Sequence, residues 1–229
     1  MDKFKINGPS KIRGEVSISG SKNAALPILA ATLLFDKNVT IKNLPRVKDI
    51  DTMLNLLKSL GRKISFKNNK KIATISKGNK NNFFAPYSLV KTMRAGILVL
   101  GPLLAKNKKA KVSSPGGCSI GVRPIDIHLK AISKLGVKIQ IEKGYVNAKA
   151  QEGLVGSEIR FSKISVGATE NLILAACLAK GTTTIKNCAI EPEIKDLTNF
   201  LKTAGAKIKW IGKRTLKIEG VKTLKSITY

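Results

Sequence analysis

A short pattern that occurs three times determines the fold of this chain more than any other feature of its sequence. Each copy reads as the end of an amphipathic helix, a glycine and the start of a strand, with the glycine at Gly61, Gly136 and Gly205. Glycine is the usual residue in the left-handed conformation that ends a helix. Repeated units bury their apolar faces against one another. The sequence therefore predicts one domain built from three similar units.

The remainder of each unit is predicted from its hydrophobic pattern. Polar and apolar residues alternate after each glycine, which is typical of half-exposed β-hairpins. A helix that is apolar on nearly every side comes earlier in each unit, and such a helix is expected to be buried. A short strand follows that helix. The hairpins are predicted at 63–76, 138–150 and 207–220, the apolar helices at 24–34, 95–105 and 168–179, and the short strands at 38–44, 109–115 and 182–188.

Each unit is thus predicted to run strand, helix, strand, helix, hairpin over about 70 residues. The fold class is α/β, an inside-out barrel lobe with pseudo-threefold symmetry, in which the helices lie inside and the sheets outside. The lobe spans residues 22–221, and its repeats cover about 13–78, 83–150 and 156–220.

The charge balance raises the question of a nucleic-acid partner. Lys and Arg number 42 against 14 Asp and Glu, for a net charge of +28 and an isoelectric point near 10.2. Only seven of the cations are arginine, and the lysines are spread evenly among Asn and Ile. With 5% aromatic residues and no recognition module, a general lysine bias is favoured over a nucleic-acid-binding surface.

Cysteine usage and hydropathy indicate a soluble protein of the reducing cytoplasm. The three cysteines form no C-x-x-C pair, which argues against a disulfide framework or a zinc ribbon. No metal-ligand cluster or dinucleotide fingerprint occurs. The amino-terminal residues lack the apolar region of a signal peptide, and the longest apolar runs are too short to span a bilayer.

The starts of the three apolar helices form the first candidate site. Alignment of the repeats places Lys22-Asn23, Met93-Arg94 and Val166-Gly167 at equivalent positions. Free backbone N–H groups and the helix dipole favour an anion there by roughly 0.3 to 1 kcal/mol per helix. Lys22, Arg94 and Arg123 add full charges. The alternative is that these are ordinary surface cations of a lysine-rich protein.

A glycine-rich loop from Ser114 to Pro124 forms the second candidate site. It carries Cys118, and Arg123-Pro124 then opens the next helix. A thiol near Arg123 and a helix start favours the thiolate, so Cys118 is a candidate acid, base or nucleophile. Cys177 and Cys188 are predicted to be small hydrophobic residues. From these residues alone, a catalytic and a plain Cys118 are equally supported.

The remaining polar candidates have structural explanations. His128, the only histidine, is predicted on the surface of the helix after Arg123. Asp49, Asp51, Asp126 and Asp196 lie at or near helix starts, where capping and the helix dipole account for them.

Several long motifs resemble the UDP-N-acetylglucosamine 1-carboxyvinyltransferase family of bacteria. They are SGSKNAALP (19–27), PYSLVKTMRA (86–95), PGGCSIGVRP (115–124) and SVGAT (165–169), within a likeness that runs from Met1 to about Val221. The resemblance implies transfer of enolpyruvyl from phosphoenolpyruvate to the 3′-hydroxyl of UDP-N-acetylglucosamine, the first committed step of peptidoglycan synthesis. It implies no metal and no organic cofactor.

The resemblance also implies roles for particular residues. Lys22 and Asn23 hold phosphoenolpyruvate, and Cys118 is the general acid, which also forms a covalent adduct with phosphoenolpyruvate and is alkylated by fosfomycin. Arg123 lies near the phosphate. The residues implied to bind the UDP-sugar are Arg94, Arg123, Pro124, Ile125, Asp126, Ile127, Lys163, Ile164, Ser165 and Val166.

The chain departs from the family in two respects. Leu98 stands where the family commonly has a tryptophan, and family members are about twice as long. Their second half supplies the base for the sugar hydroxyl and further arginines. We therefore expect residues 1–21 to pack with a second lobe, residues 222–229 to be a truncated tail, and a separate C-terminal lobe to be a candidate partner. Two hypotheses follow: the N-terminal lobe of the transferase, and a vestigial UDP-sugar-binding fragment without turnover.

Overall fold

The computed structural model describes residues 3–80, 82–115 and 125–229. Its α-helices are α1 (Lys22–Ala31), α2 (Lys48–Ser59), α3 (Tyr87–Val90), α4 (Leu100–Asn107), α5 (Asp126–Ser133), α6 (Val166–Ala176) and α7 (Pro192–Thr203). Two 3₁₀ helices cover Thr32–Leu34 and Arg94–Val99. The strands are β1 (Val39–Ile41), β2 (Arg62–Lys67), β3 (Ile72–Lys77), β4 (Phe84–Ala85), β5 (Lys109–Ser113), β6 (Lys138–Glu142), β7 (Tyr145–Lys149), β8 (Glu158–Arg160), β9 (Thr182–Lys186), β10 (Lys207–Gly212), β11 (Thr215–Glu219) and β12 (Ile227–Thr228).

The strands form three four-stranded sheets of the same design. Their orders are β12-β1-β3-β2, β4-β5-β7-β6 and β8-β9-β11-β10. In each sheet three strands are antiparallel, and one short strand pairs in parallel at an edge. The predicted threefold repeat is confirmed by this shared topology.

Each unit is predicted to begin with a strand, but the edge strand of the first sheet does not precede α1. It is β12, which pairs with β1 through Val39 opposite Ile227 and Thr40 opposite Thr228. Residues 3–19 form no helix or strand and are exposed, including their large apolar side chains Phe4, Ile6, Ile12, Val16 and Ile18. The end of the third repeat therefore completes the sheet of the first.

The repeated glycines adopt the conformation that their position predicts. Gly61, Gly136 and Gly205 follow the second helix of their unit with φ values of 93°, 85° and 97°. A side chain would be strained at these angles, so glycine lets each helix end and its hairpin begin within a few residues.

The apolar helices pack inside the lobe and the sheets lie outside, as predicted. Every residue of α6 from Ala168 to Ala176 is buried, and α1 is buried from Ala25 to Ala31. The helices α2 and α7 bury one face only, and the hairpin strands alternate in exposure. In the described part of the chain, no helix has the length and apolar character needed to cross a membrane.

The apolar helix of the second unit is interrupted, which the pattern does not predict. Residues 94–99 form a 3₁₀ helix and α4 begins only at Leu100. The side-chain amide of Asn171, on α6, lies at the break. Its Oδ1 accepts from the N–H of Gly101 at 2.7 Å, and its Nδ2 donates to the carbonyl of Ile97 at 2.9 Å. The amide thus replaces the 101-to-97 backbone bond of a continuous α-helix.

Candidate functional site

One cavity of about 440 Å³ opens where the inner helices begin. All three repeats contribute to it: Asn23 from the first, Arg94 from the second and Ser165 from the third. The predicted convergence of the three helix starts is therefore present. The complete lining is Asn23, Leu26, Pro27, Arg94, Ala95, Ile97, Leu98, His128, Ser165, Val166, Gly167, Glu170 and Glu193.

Two of these helix starts are capped in the same way. The hydroxyl of Ser21 accepts from the N–H of Ala24 at 3.4 Å, and that of Ser165 accepts from the N–H of Ala168 at 3.3 Å. Met93, which precedes the 3₁₀ helix of the second unit, makes no side-chain cap. The helix starts carry partial positive charge, and Arg94 adds a full charge to the wall, so this end of the lobe is suited to anions.

Lys22 stands at the rim rather than in the wall of the cavity. Its Nζ lies 2.9 Å from Oδ2 of Asp49, on α2, and both side chains are partly exposed. Asp49 thus holds the lysine as well as placing a negative charge in the first turn of α2. An exposed pair of this kind adds little to stability, so the lysine is able to exchange this partner for a ligand.

His128 is buried, with 3% of its surface exposed, so the predicted surface position is wrong. The helix α5 turns this residue inward, against α6. Nδ1 of His128 lies 3.3 Å from Nδ2 of Asn171. A methyl group added at Gly167 would lie 3.1 Å from Cε1 and 3.4 Å from Nε2 of His128, which places that edge of the ring beside the start of α6.

The contacts of Asn171 assign the proton of the imidazole. Its amide orientation is set by Gly101 N–H and the Ile97 carbonyl, so the atom that faces His128 is a donor. Nδ1 of His128 is then the acceptor, and the proton lies on Nε2. Burial and, to a smaller extent, the charge of Arg94 lower the pKa of His128 to about 4, although the charge of Asp126 acts in the opposite direction. The ring is therefore neutral at pH 7.

Glu170 is a member of the cavity wall that the sequence analysis did not single out. It lies on α6, one turn after Gly167, and is 5% exposed. Burial raises its pKa to about 8, and the negative charges of Glu193 and Glu191 contribute in the same direction. The sequence signal that points to it is the polar run Thr169-Glu170-Asn171 inside a helix whose other residues are apolar.

The other predicted site residues divide into three groups. Arg94, Asn23, Ser165 and Val166 line the cavity, and so does Leu98. Outside the lining lie Lys22, Ile125, Asp126, Ile127, Lys163 and Ile164. Cys118, Arg123 and Pro124 lie outside the described residues.

The two described cysteines are buried free thiols, as predicted. Burial raises the pKa of Cys177 to about 12 and that of Cys188 to about 11. Thiols with such pKa values present almost no thiolate at neutral pH, so neither is a nucleophile.

Comparison with known proteins places this architecture in a family. The model of the EPSP synthase (3-phosphoshikimate 1-carboxyvinyltransferase) family matches residues 6–229. The chain belongs to this family of enolpyruvyl-transferring enzymes. Among solved structures, the enolpyruvyl transferase NikO from Streptomyces tendae has a TM-score of 0.83 at 22% identity, over 96% of this chain and 52% of that one. EPSP synthase from Acinetobacter baumannii has a TM-score of 0.73 at 17% identity, over 94% and 48%.

Curated relatives of the chain within the family share one name. The chain is 64% identical, over its full length and 54% of the relative, to UDP-N-acetylglucosamine 1-carboxyvinyltransferase of Pelagibacter ubique (strain HTCC1062). It is 52% identical to the protein of the same name from Psychrobacter sp. (strain PRwf-1), over 100% of this chain and 53% of that protein. The chain spans about half the length of the curated relatives it matches, and it corresponds to their N-terminal half.

Proposed function

We propose that this chain is the N-terminal lobe of an enzyme that transfers enolpyruvyl from phosphoenolpyruvate to the 3′-hydroxyl of UDP-N-acetylglucosamine. The proposal is carried by the 64% identity to one transferase of that name, together with a cavity at three converging helix starts. The enzyme would act in the cytoplasm in peptidoglycan synthesis, and hence in cell-wall growth and division, and would be a target of fosfomycin.

The reaction is an addition followed by an elimination. Cys118 delivers a proton to C3 of phosphoenolpyruvate while the sugar oxygen bonds to C2, and the hydroxyl proton passes to a base. C3 then loses a proton, the bond from C2 to the phosphate oxygen breaks, and phosphate leaves. No electrons are exchanged with a redox partner, so the chemistry balances without a cofactor.

The cavity supplies donors and positive charge for two anionic substrates. Asn23 and the start of α1 would face phosphoenolpyruvate, with Lys22 released from Asp49 to join them. Ser165, Val166 and the start of α6 would hold the diphosphate, with Arg94 across the cavity. Arg123, Pro124, Ile125, Asp126, Ile127, Lys163 and Ile164 would complete the UDP-sugar site.

A second lobe would supply the base and close the cavity. Oxyanion stabilisation requires donors on both sides of a cleft from which water is excluded. The exposed apolar side chains of residues 3–19 support this proposal, because Phe4, Ile6 and Ile12 are each more than 85% exposed. We propose that this segment packs against the second lobe.

The test measures phosphate release from phosphoenolpyruvate and UDP-N-acetylglucosamine. The 229-residue chain by itself is expected to bind the UDP-sugar without turnover. Adding the separately expressed second half of the Pelagibacter relative should start the reaction and slow hydrogen exchange in residues 3–19. In the combined form, Cys118→Ala should lower the rate by about two to four orders of magnitude, the range for a lost general acid.

Three further variants make the test specific. Cys118→Asp should retain much of the activity and resist fosfomycin, because a carboxyl delivers a proton but is a poor nucleophile toward an epoxide. Cys177→Ala and Cys188→Ala are the matched controls and should change neither behaviour. Full activity of Cys118→Ala, or fosfomycin labelling of Cys177, would show the assignment of the acid to be wrong. UDP-sugar binding with no turnover in any combination would favour the vestigial binding protein.

A further inference from the structure

Glu170 is an acidic side chain enclosed in the cavity wall. Only 5% of its surface is exposed, and it lines the cavity on the side of the third repeat. Among the described residues, no side chain or backbone group hydrogen-bonds to its carboxyl group or forms an ion pair with it. Within the described part of the chain, Oγ1 of Thr183, on β9, is the only fully enclosed side-chain oxygen without a hydrogen-bond partner. The unpaired carboxyl group of Glu170 is therefore not fully enclosed and remains accessible from the cavity.

The charges around Glu170 oppose its ionisation. Burial raises its pKa most, and the carboxylates of Glu193 and Glu191, at the start of α7, raise it in addition. The neutral ring of His128 faces the same cavity from α5, and Arg94 faces it from the 3₁₀ helix. Lys22, on α1, is paired with Asp49 at the rim. None of these cations is among the causes that set the pKa of Glu170, so its carboxyl group is protonated through most of the neutral range.

A protonated carboxyl group offers an O–H donor as well as an acceptor. Leaving such a group buried and unpaired is destabilising. A hydrophobic residue would fill this position of α6 without that cost, since the neighbouring positions Leu172, Ile173 and Leu174 are all apolar and fully buried. The cost is recovered if a ligand in the cavity provides the missing acceptor.

We propose that Glu170 contacts the bound sugar nucleotide and donates a hydrogen bond to one of its neutral oxygens, a carbonyl or a hydroxyl group. The inference rests on the proposed function, which places UDP-N-acetylglucosamine in this cavity. An uncharged donor suits the position because Glu193 already adds a negative charge to the same wall, and a second carboxylate would repel a diphosphate. Glu170 thereby binds a neutral group of the ligand, whereas the helix starts and Arg94 bind its charged diphosphate.

The test is calorimetric titration of the chain with UDP-N-acetylglucosamine at pH 7 and pH 9. Glu170→Gln keeps the shape and a donor but has no proton to lose, and Glu170→Leu keeps the volume without a donor. At pH 7 we expect Glu170→Gln to bind within about threefold of the natural chain and Glu170→Leu about tenfold more weakly. Between pH 7 and pH 9 the natural chain should weaken about tenfold more than Glu170→Gln, because only the protonated form is competent.

The outcomes separate this inference from the proposed function. Equal binding by Glu170→Leu and the natural chain, or the same pH response in Glu170→Gln and the natural chain, would overturn the role of Glu170 and leave the proposed function standing. A natural chain that binds no UDP-N-acetylglucosamine at either pH would overturn both. If Glu170→Leu does not fold, the comparison of Glu170→Gln with the natural chain decides by itself.

Discussion

Asn171 illustrates how one buried residue serves three parts of the lobe. It joins α6 to the 3₁₀ helix through Ile97, to α4 through Gly101 and to α5 through His128. The carbonyl of Ile97 also accepts from the N–H of Leu100, so loss of the amide would leave the N–H of Gly101 and Nδ1 of His128 unpaired. The start of α5, which follows the Cys118 loop directly in the chain, is therefore held by this side chain.

Because the buried ring of His128 is neutral, the free energy of unfolding is expected to decrease at acid pH. The folded-state pKa is about 4 against an ordinary 6.5, so the stabilising contribution is present above pH 6.5 and is lost as the pH falls toward 4. Between pH 7 and pH 5 the natural chain should lose about 2 kcal/mol more unfolding free energy than His128→Gln. Denaturant titration at the two pH values measures the difference. Parallel losses in the two proteins would contradict the neutral buried ring.

At the scale of elements, the close approach of α4 and α6 depends on Gly101. A methyl group at this position would overlap the backbone carbonyl of Asn171 and lie 2.7 Å from its Oδ1. The two helices thus touch where the amide enters the interrupted helix. The absence of a side chain at Gly101 is what allows the contact.

Gly101→Ala is therefore expected to destabilise the lobe by about 1–3 kcal/mol, the usual cost of overpacking. The overlap is with backbone, so α4 and α6 must separate and the hydrogen bonds of Asn171 must lengthen. The measurement is the unfolding midpoint in urea. Gly212→Ala is the control, because a methyl group there would meet only Thr215 at an ordinary 3.6 Å, and its midpoint should change little. Equal midpoints for the two variants would refute the packing argument.

At the scale of the whole molecule, the chain closes on itself. Besides the pairing of β12 with β1, the N–H of Tyr229 donates to the carbonyl of Thr40 and its own carbonyl accepts from Lys42. Its ring packs edge-on against Phe200 at 5.3 Å, and Phe200 in turn lies 5.7 Å from Phe35. The third repeat thus packs against the first through the three rings of Phe35, Phe200 and Tyr229 and through a shared sheet.

Removing the contacts of Tyr229 should lower the unfolding free energy of the whole lobe. Tyr229→Ala loses the ring contact and the hydrogen bond from the hydroxyl to Oδ1 of Asp196, at 2.6 Å, so we expect a loss of about 2–4 kcal/mol of unfolding free energy. Tyr229→Phe loses the hydrogen bond alone, for about 1 kcal/mol. Tyr87→Ala is the control, since that ring is 54% exposed. Thermal unfolding checks the order, and a Tyr229→Ala protein as stable as the control would disprove the closure.

Local patterns were sufficient to predict the architecture. The three glycines after amphipathic helices, the alternating hairpins and the all-apolar helices each depend on residues a few positions apart, so their structures are set by short-range sterics and by which faces must leave water. The convergence of Asn23, Arg94 and Ser165 was predictable as well, because equivalent positions of a repeat meet when its copies pack around a common centre.

Contacts between distant residues decided what the patterns missed. The first sheet takes its edge strand from Ile227–Thr228 because a strand pairs with whichever segment the tertiary fold delivers to its edge. His128 is buried because α5 turns that face to Asn171, 43 positions away. Glu170 is protonated because burial and, to a smaller extent, the carboxylates of Glu193 and Glu191 raise its pKa to about 8. The burial and the electrostatic environment of a site depend on all the residues packed around it. The sequence by itself therefore determined the three units, whereas only their packing determined the protonation states and contacts of the residues between them.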